Sequence, residues 1–297
     1  MDASPSLART GRPVNRAILL VVVGVFSLCV SDVFAKALTE HYSPMQIVFL
    51  RNIVAVPLVL AILLATGRGH AVGTRSLRLH AFRGLFSIGA AFFFFSSLLY
   101  LQLAEATALA FAAPIFVTAL SVPLLGEHVG WRRWLAVLVG FLGILLIVRP
   151  GATTFQPAAL FPVAGALCYA FFMISARKMG GSEGMWTVMF YICLFPLLYS
   201  APFAFALWHP FTFAHAPLVV GIAVCATLGV TLITLGFQAA PPAVVAPFDY
   251  TALIWGSLFG WLFWGEVPDS WTYAGAAVIV ASGIYIVFRE RRADKAG

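Results

Sequence analysis

Residues 126–149 read GEHVGWRRWLAVLVGFLGILLIVR, and residues 265–289 read GEVPDSWTYAGAAVIVASGIYIVFR. Each stretch opens on a Gly-Glu pair and then gives a tryptophan, a glycine and an arginine in the same order. From Trp131 to Gly143 is twelve residues, as from Trp271 to Gly283; from Gly143 to Arg149 is six, as from Gly283 to Arg289. The echo extends outward in both directions. Gly24 and Lys36 precede Gly165 and Arg177 by one common offset, and Pro57-Leu58 recurs as Pro196-Leu197. The chain is therefore read as two copies of one unit.

Composition says what kind of unit this is. Of 297 residues, 62% are hydrophobic and 10% charged, and the mean hydropathy is +0.97. Soluble domains carry about a quarter charged residues, so the deficit excludes a soluble enzyme, a disordered tail and a nucleic-acid module. A bilayer span takes roughly 20 apolar residues, and apolar runs bounded by charge, Pro and Gly predict ten of them. They fall at 17–38, 44–66, 79–101, 105–125, 131–148, 158–178, 185–206, 216–239, 243–264 and 270–289. The fold class is all-α integral membrane: ten transmembrane helices in two five-helix repeats, 17–150 and 151–289, with tails 1–16 and 290–297. Five is odd, so the copies are inverted in the bilayer. Inverted repeats recur in secondary transporters, with the substrate site near the midplane between the copies.

The net charge of +7 is explained by topology. With the N-terminus in the cytoplasm, fifteen of the 18 basic residues face inside, leaving Lys36, Arg51 and Arg149. The positive-inside rule then places both termini in the cytoplasm. Ala35-Lys36-Ala37 loosely imitates a signal-peptide cleavage site, but the preceding apolar run exceeds the usual h-region of about 7–15 residues, and the repeat uses it. Cys29, Cys168, Cys193 and Cys225 all fall inside spans without CxxC spacing, so they read as small apolar residues rather than metal ligands or disulfides.

A family resemblance rests on particular residues. Arg83-Gly84 opens the third helix, and Ala104-Glu105-Ala106-Thr107-Ala108-Leu109 precedes Ala113-Pro114-Ile115-Phe116. Leu125-Gly126-Glu127, Trp131-Arg132-Arg133-Trp134 and Arg149-Pro150-Gly151 follow. The set resembles the drug/metabolite transporter superfamily in its ten-helix EamA branch, once per half. The resemblance implies alternating access around a cavity between helices one, three, four, six, eight and nine. It also implies export of amino acids or other small metabolites across the inner membrane, with aromatic amino acid exporters of the YddG type as the expected subgroup. Riboflavin and S-adenosylmethionine are alternative cargoes. The halves differ where Pro241-Pro242 stands opposite Ala104-Glu105.

Charges inside a bilayer are expensive and pair or line a watery path. Asp32 and Arg51 lie at similar depth in neighbouring helices and are expected to pair, either to fix packing or to meet a substrate carboxylate. Asp249 stands two residues after Pro247, which loosens the helix. It can bind a substrate amine, carry a coupling proton or satisfy freed backbone donors. Glu105 is expected near the outer interface, while Glu127 and Glu266 are expected to anchor the helix that follows each. Tyr100, Tyr169, Phe172, Tyr250 and Trp255 are candidates to stack on a substrate ring, and Pro114 and Pro247 are candidate hinges. Gly140, Gly143, Gly275 and Gly283 permit close helix contact.

No catalytic set is expected: H-E-x-x-H, G-x-S-x-G and paired catalytic carboxylates do not occur. The histidines fall in loops or at helix ends, so no metal site is expected, and no cofactor. There is no G-x-x-x-x-G-K-[ST], which leaves proton antiport or passive exchange as the energy source. The expected partners are a small-molecule substrate, the lipid bilayer and protons, with no nucleic acid. The chain is expected to be a monomer or homodimer.

Overall fold

The computed structural model describes residues 11–74, 76–126, 130–150, 156–179 and 183–294. Within them there are helices and turns and no strand. The first half contains α1 (Gly11–Thr39), α2 (Pro44–Ala65), α3 (Leu77–Ser97), α4 (Leu103–Ala110), α5 (Ala113–Leu125) and α6 (Trp131–Val148). The second contains α7 (Leu160–Met179), α8 (Met185–Ala206), α9 (Ala216–Ala239), α10 (Pro242–Val245), α11 (Thr251–Trp264) and α12 (Ser270–Asp294). Among the described residues, nine segments are long and apolar enough to cross a membrane, and the tenth span is the interrupted run 242–264. A bilayer core offers no water to backbone groups, so each apolar run satisfies its own N–H and C=O groups as a helix.

The fourth and ninth spans, read from sequence as continuous helices, are both broken. The fourth divides into α4 and α5 around Phe111–Ala112, just before Pro114. The ninth begins as the short α10, passes through a 3-10 turn at Ala246–Tyr250 that contains Pro247, and continues as α11. Proline lacks the N–H that would continue the ladder. Both spans end alike: Gly126 (φ +70°) and Gly265 (φ +66°) adopt the left-handed conformation that glycine takes without steric cost.

Helix pairing follows the repeat. Helix α1 runs along α9, and its counterpart α7 runs along α3; α2 pairs with α8, and α6 with α12. The glycines make these approaches close. A Cβ on Gly24 would lie 2.9 Å from the carbonyl oxygen of Gly229, and one on Gly229 would lie 2.8 Å from that of Gly24. Gly165, matched to Gly24 in the sequence, packs in the same way on the Ala90 carbonyl of α3. Hydroxyls add to the seams: Ser27 donates to Cys225 O (2.8 Å), and Ser282 donates to Ala136 O (2.6 Å). Helix α6 buries Ala136, Gly140, Gly143 and Ile147 and exposes Leu135, Leu138, Phe141 and Leu142, a stripe suited to lipid tails.

One end of the bundle, here the Lys36 face, gathers the end of α1, the starts of α4 and α7 and the turn from α11 to α12. The opposite end, the Arg83 face, carries the start of α3 and the end of α7.

Candidate functional site

The two helix breaks meet. Phe111, at the break of the fourth span, and Tyr250, at the break of the ninth, have ring centroids 4.8 Å apart. Tyr250 reaches inward because Gly283 of α12 leaves room for it; a Cβ there would fall 1.9 Å from the Tyr250 hydroxyl. Asp249 precedes Tyr250 in the same 3-10 turn, and its Oδ1 is buried with no hydrogen-bond partner. A buried acceptor left unmatched is costly.

Helix α7 supplies the opposite wall. Gly165, Tyr169 and Phe172 share one helical face, and Gly165 abuts α3. Tyr169 is 45% exposed. It lies within electrostatic range of Asp249 and 5.9 Å from Phe172, centroid to centroid. Trp255, one turn into α11, packs edge-on against Phe26 of α1 at 5.0 Å, and its buried Nε1 has no acceptor. Trp255 thus packs with Phe26 and Phe259, while the structure brings Tyr169, Phe172, Asp249 and Tyr250 together in one region. Such a region can hold a cation at the carboxylate and a flat ring among the aromatic faces.

Arg83 is the residue the sequence reading missed. The charge count places it in the cytoplasmic cluster, but it is 4% exposed within α3, and its guanidinium lies 4.7 Å from the centre of the Phe172 ring. Its place seven residues into an apolar helix was the available signal. Phe111 was missed because nothing local marks a phenylalanine as standing at a break.

Asp32 and Arg51 are corrected in part. They interact electrostatically, but no ion pair within 4 Å joins them. Arg51 instead lies 5.8 Å from the Phe95 ring centre, near Cys193 of α8. Similar depth on sequential helices does not set the rotation of either helix, and here the guanidinium is turned toward α3.

The Lys36 face is tied by two ion pairs. Lys36, 6% exposed, pairs with Glu266, donates to Leu101 O (3.2 Å) and lies 5.0 Å from the Trp264 ring centre. Glu266 also accepts from the backbone N–H of Leu103 (3.0 Å), capping α4. Its expected role in anchoring the following helix is therefore overturned. Asp269 does that instead, accepting from Thr272 N at 2.8 Å. The left-handed turn at Gly265 directs Glu266 back toward the bundle, and Asp269 is the residue immediately before α12. Glu127 lies outside the described residues. Arg149, at the end of α6, pairs with Asp269. Burial works against the charge on Asp269, but the hydrogen bonds from Arg149 and Thr272 outweigh it and hold the carboxyl below the usual range.

Glu105 lies apart from the central group. It lines a cavity of about 210 Å³ on the Lys36 face with Arg149 and Asp269. Tyr100 is also elsewhere: it is 63% exposed and stacks on Phe161 at 6.4 Å. Leu98–Leu101 lie beyond the last turn of α3, which carries Tyr100 to the rim.

A two-repeat bundle with paired broken helices, and an unmatched carboxylate oxygen at the break of the ninth, is the architecture of a membrane transporter. The chain belongs to the EamA-like transporter family, whose model matches residues 15–149 and again 156–289. It is 26% identical over 276 residues to an S-adenosylmethionine uptake transporter of Rickettsia bellii, covering 92% of this chain and 93% of the relative. It is 28% identical over 274 residues to a pseudopaline exporter of Pseudomonas aeruginosa (90% and 94%) and 27% over 286 to a riboflavin transporter of Vibrio cholerae (95% and 96%). A crystal structure of another protein superposes with a TM-score of 0.63 over 94% of this chain and 98% of that one. At 21% identity it shows the shared fold. The family and these relatives are transporters, not enzymes, and the chain is a multi-pass integral membrane protein that moves a small metabolite.

Proposed function

We propose that the chain is a secondary transporter of the inner membrane that exports amine-bearing small metabolites, above all amino acids including aromatic ones. The carrying observation is the buried, partnerless Oδ1 of Asp249 at the break of the ninth span, beside Tyr169 and Tyr250. A substrate ammonium supplies the missing donor, and Tyr169 and Phe172 offer faces to a ring. Alternating access follows from the two repeats rocking about the breaks at Phe111–Ala112 and Ala246–Tyr250, with Pro114 and Pro247 as hinges. Asp32, Glu105 and Asp249 are the acids placed to carry a coupling proton. Both termini are cytoplasmic in this reading, which puts the Lys36 face outside.

The relatives widen the choice of cargo. S-adenosylmethionine carries an amino acid end and a flat ring, so it meets the same requirements, whereas riboflavin lacks the cation. Counterflow in liposomes with labelled phenylalanine, leucine, S-adenosylmethionine and riboflavin decides. The expected result is saturable uptake of amine-bearing substrates, reduced about tenfold or more in Asp249→Asn, the scale of a lost charge-assisted hydrogen bond. Uptake of riboflavin alone, unaffected by Asp249→Asn, overturns the reading.

A further inference from the structure

The cavity on the Lys36 face lies apart from Asp249 and its rings, and its chemistry is of another kind. Gln102 and Glu105 reach it from the start of α4, Arg149 from the end of α6, Gln156 from the approach to α7, and Asp269 and Thr272 from the start of α12. Its volume of about 210 Å³ is ample for a small polar group. Two groups in it have unused capacity. The Glu105 carboxylate is half-buried and accepts no hydrogen bond from any described residue. Arg149 gives Nη2 to Asp269, while its side chain stays a quarter exposed where it lines the cavity.

Arg149 is also the one described non-glycine residue with a positive φ, at φ 48° and ψ 56°. That conformation costs about 1–2 kcal/mol for a residue with a Cβ, and such strain is maintained at functional sites. Here it turns the side chain from the end of α6 toward α12. The cavity therefore holds an unmatched anion and a partly matched cation, in range of each other's charge but not bonded.

We propose that this cavity is a second binding station, in which Glu105 takes the ammonium and the exposed part of the Arg149 guanidinium takes the carboxylate of an amino acid end group. This inference rests on the amine-bearing cargo proposed above and adds to it a separate site at the mouth of the path. The ring of such a ligand extends out of the cavity, and its zwitterionic end is what the station reads.

Protection of a thiol introduced by Gln156→Cys tests the station in purified protein. A small maleimide labels the protein with and without phenylalanine or S-adenosylmethionine, and labelling is quantified on the peptide containing position 156. The expected result is slowed labelling with either ligand, retained when Asp249→Asn is added. Glu105→Gln, which keeps the side-chain volume and breaks no hydrogen bond, should raise the protecting concentration about tenfold. Absence of protection while wild-type counterflow persists overturns the station and leaves the cargo reading intact. Protection lost with Asp249→Asn but kept with Glu105→Gln also overturns it, because the thiol then reports binding at the central region. Failure of the cargo reading shows separately, as absence of counterflow for every amine-bearing compound.

Discussion

Phe111 and Tyr250 occupy equivalent places in the two repeats, separated by the same offset as Gly126 and Gly265, and their rings touch across the centre of the molecule at 4.8 Å. One copy places a phenylalanine at its break and the other a tyrosine preceded by an acid. The contact joins the two halves where both helices are interrupted.

That contact predicts coupling. Aromatic pairs contribute about 0.5–1.5 kcal/mol beyond the area they bury. A double-mutant cycle of Phe111→Leu and Tyr250→Leu, read by thermal unfolding in detergent, should give an interaction of that size. Gly283→Ala, whose Cβ would fall 1.9 Å from the Tyr250 hydroxyl, should displace Tyr250 and reduce counterflow. Unchanged transport in Gly283→Ala would show that the position of Tyr250 is immaterial.

The seam between α6 and α12 predicts a stability effect without a site effect. A Cβ on Gly275 would lie 2.7 Å from the Gly143 carbonyl oxygen and 2.5 Å from Ile147 Cγ1. Backbone cannot yield as a side-chain tip can, so Gly275→Ala should cost about 1–3 kcal/mol, the usual range for overpacking. Gly130→Ala, with nothing within 4 Å of the new Cβ, is the control and should melt as the wild type does.

At the Lys36–Glu266 pair, removing one partner leaves a charge without compensation. Lys36→Met or Glu266→Gln alone should destabilise by about 3–5 kcal/mol, and the double variant by less than the two losses together. Glu266 also caps α4 through Leu103 N, a bond that Gln can still accept. Lys36→Met is therefore the cleaner single variant. Additive losses in the melting curves would remove the pair as a unit.

Asp269 predicts a pH effect. Its carboxyl is held below the usual range, with Arg149 and Thr272 as the causes that overcome burial. A carboxyl depressed in the folded state contributes stability above its unfolded value of about 3.9, and that contribution fades as pH falls through the lower folded value. Acidification below about pH 4 should thus take more stability from the wild type than from Asp269→Asn, which keeps the helix cap and loses the charge. Its side chain is 48% exposed, so the difference is a modest one.

How far the sequence could be read depended on the kind of feature. Gly24 and Gly165 were visible as a matched pair, and both proved to be close-contact positions on equivalent helix seams. Glu266 was visible too, but its direction was misread. The Gly-Glu pair signals a turn, while a partner 230 positions away, Lys36, settles where the side chain goes. Tyr100 and Tyr169 are both tyrosines in apolar surroundings, and no local pattern separates the one at the rim from the one beside Asp249.

By itself the sequence determined that this is a membrane protein of ten spans in two inverted copies. Hydropathy and length answer to the bilayer alone, and repetition is visible without coordinates. The tertiary structure alone decided that the fourth and ninth spans break where Phe111 meets Tyr250, that Arg83 is turned onto Phe172, and that Glu105 keeps company with Arg149 rather than with Asp249. The physical reason is rotation. A helix in lipid is fixed in length and depth by its composition, but which way each side chain faces depends on the neighbours it packs against.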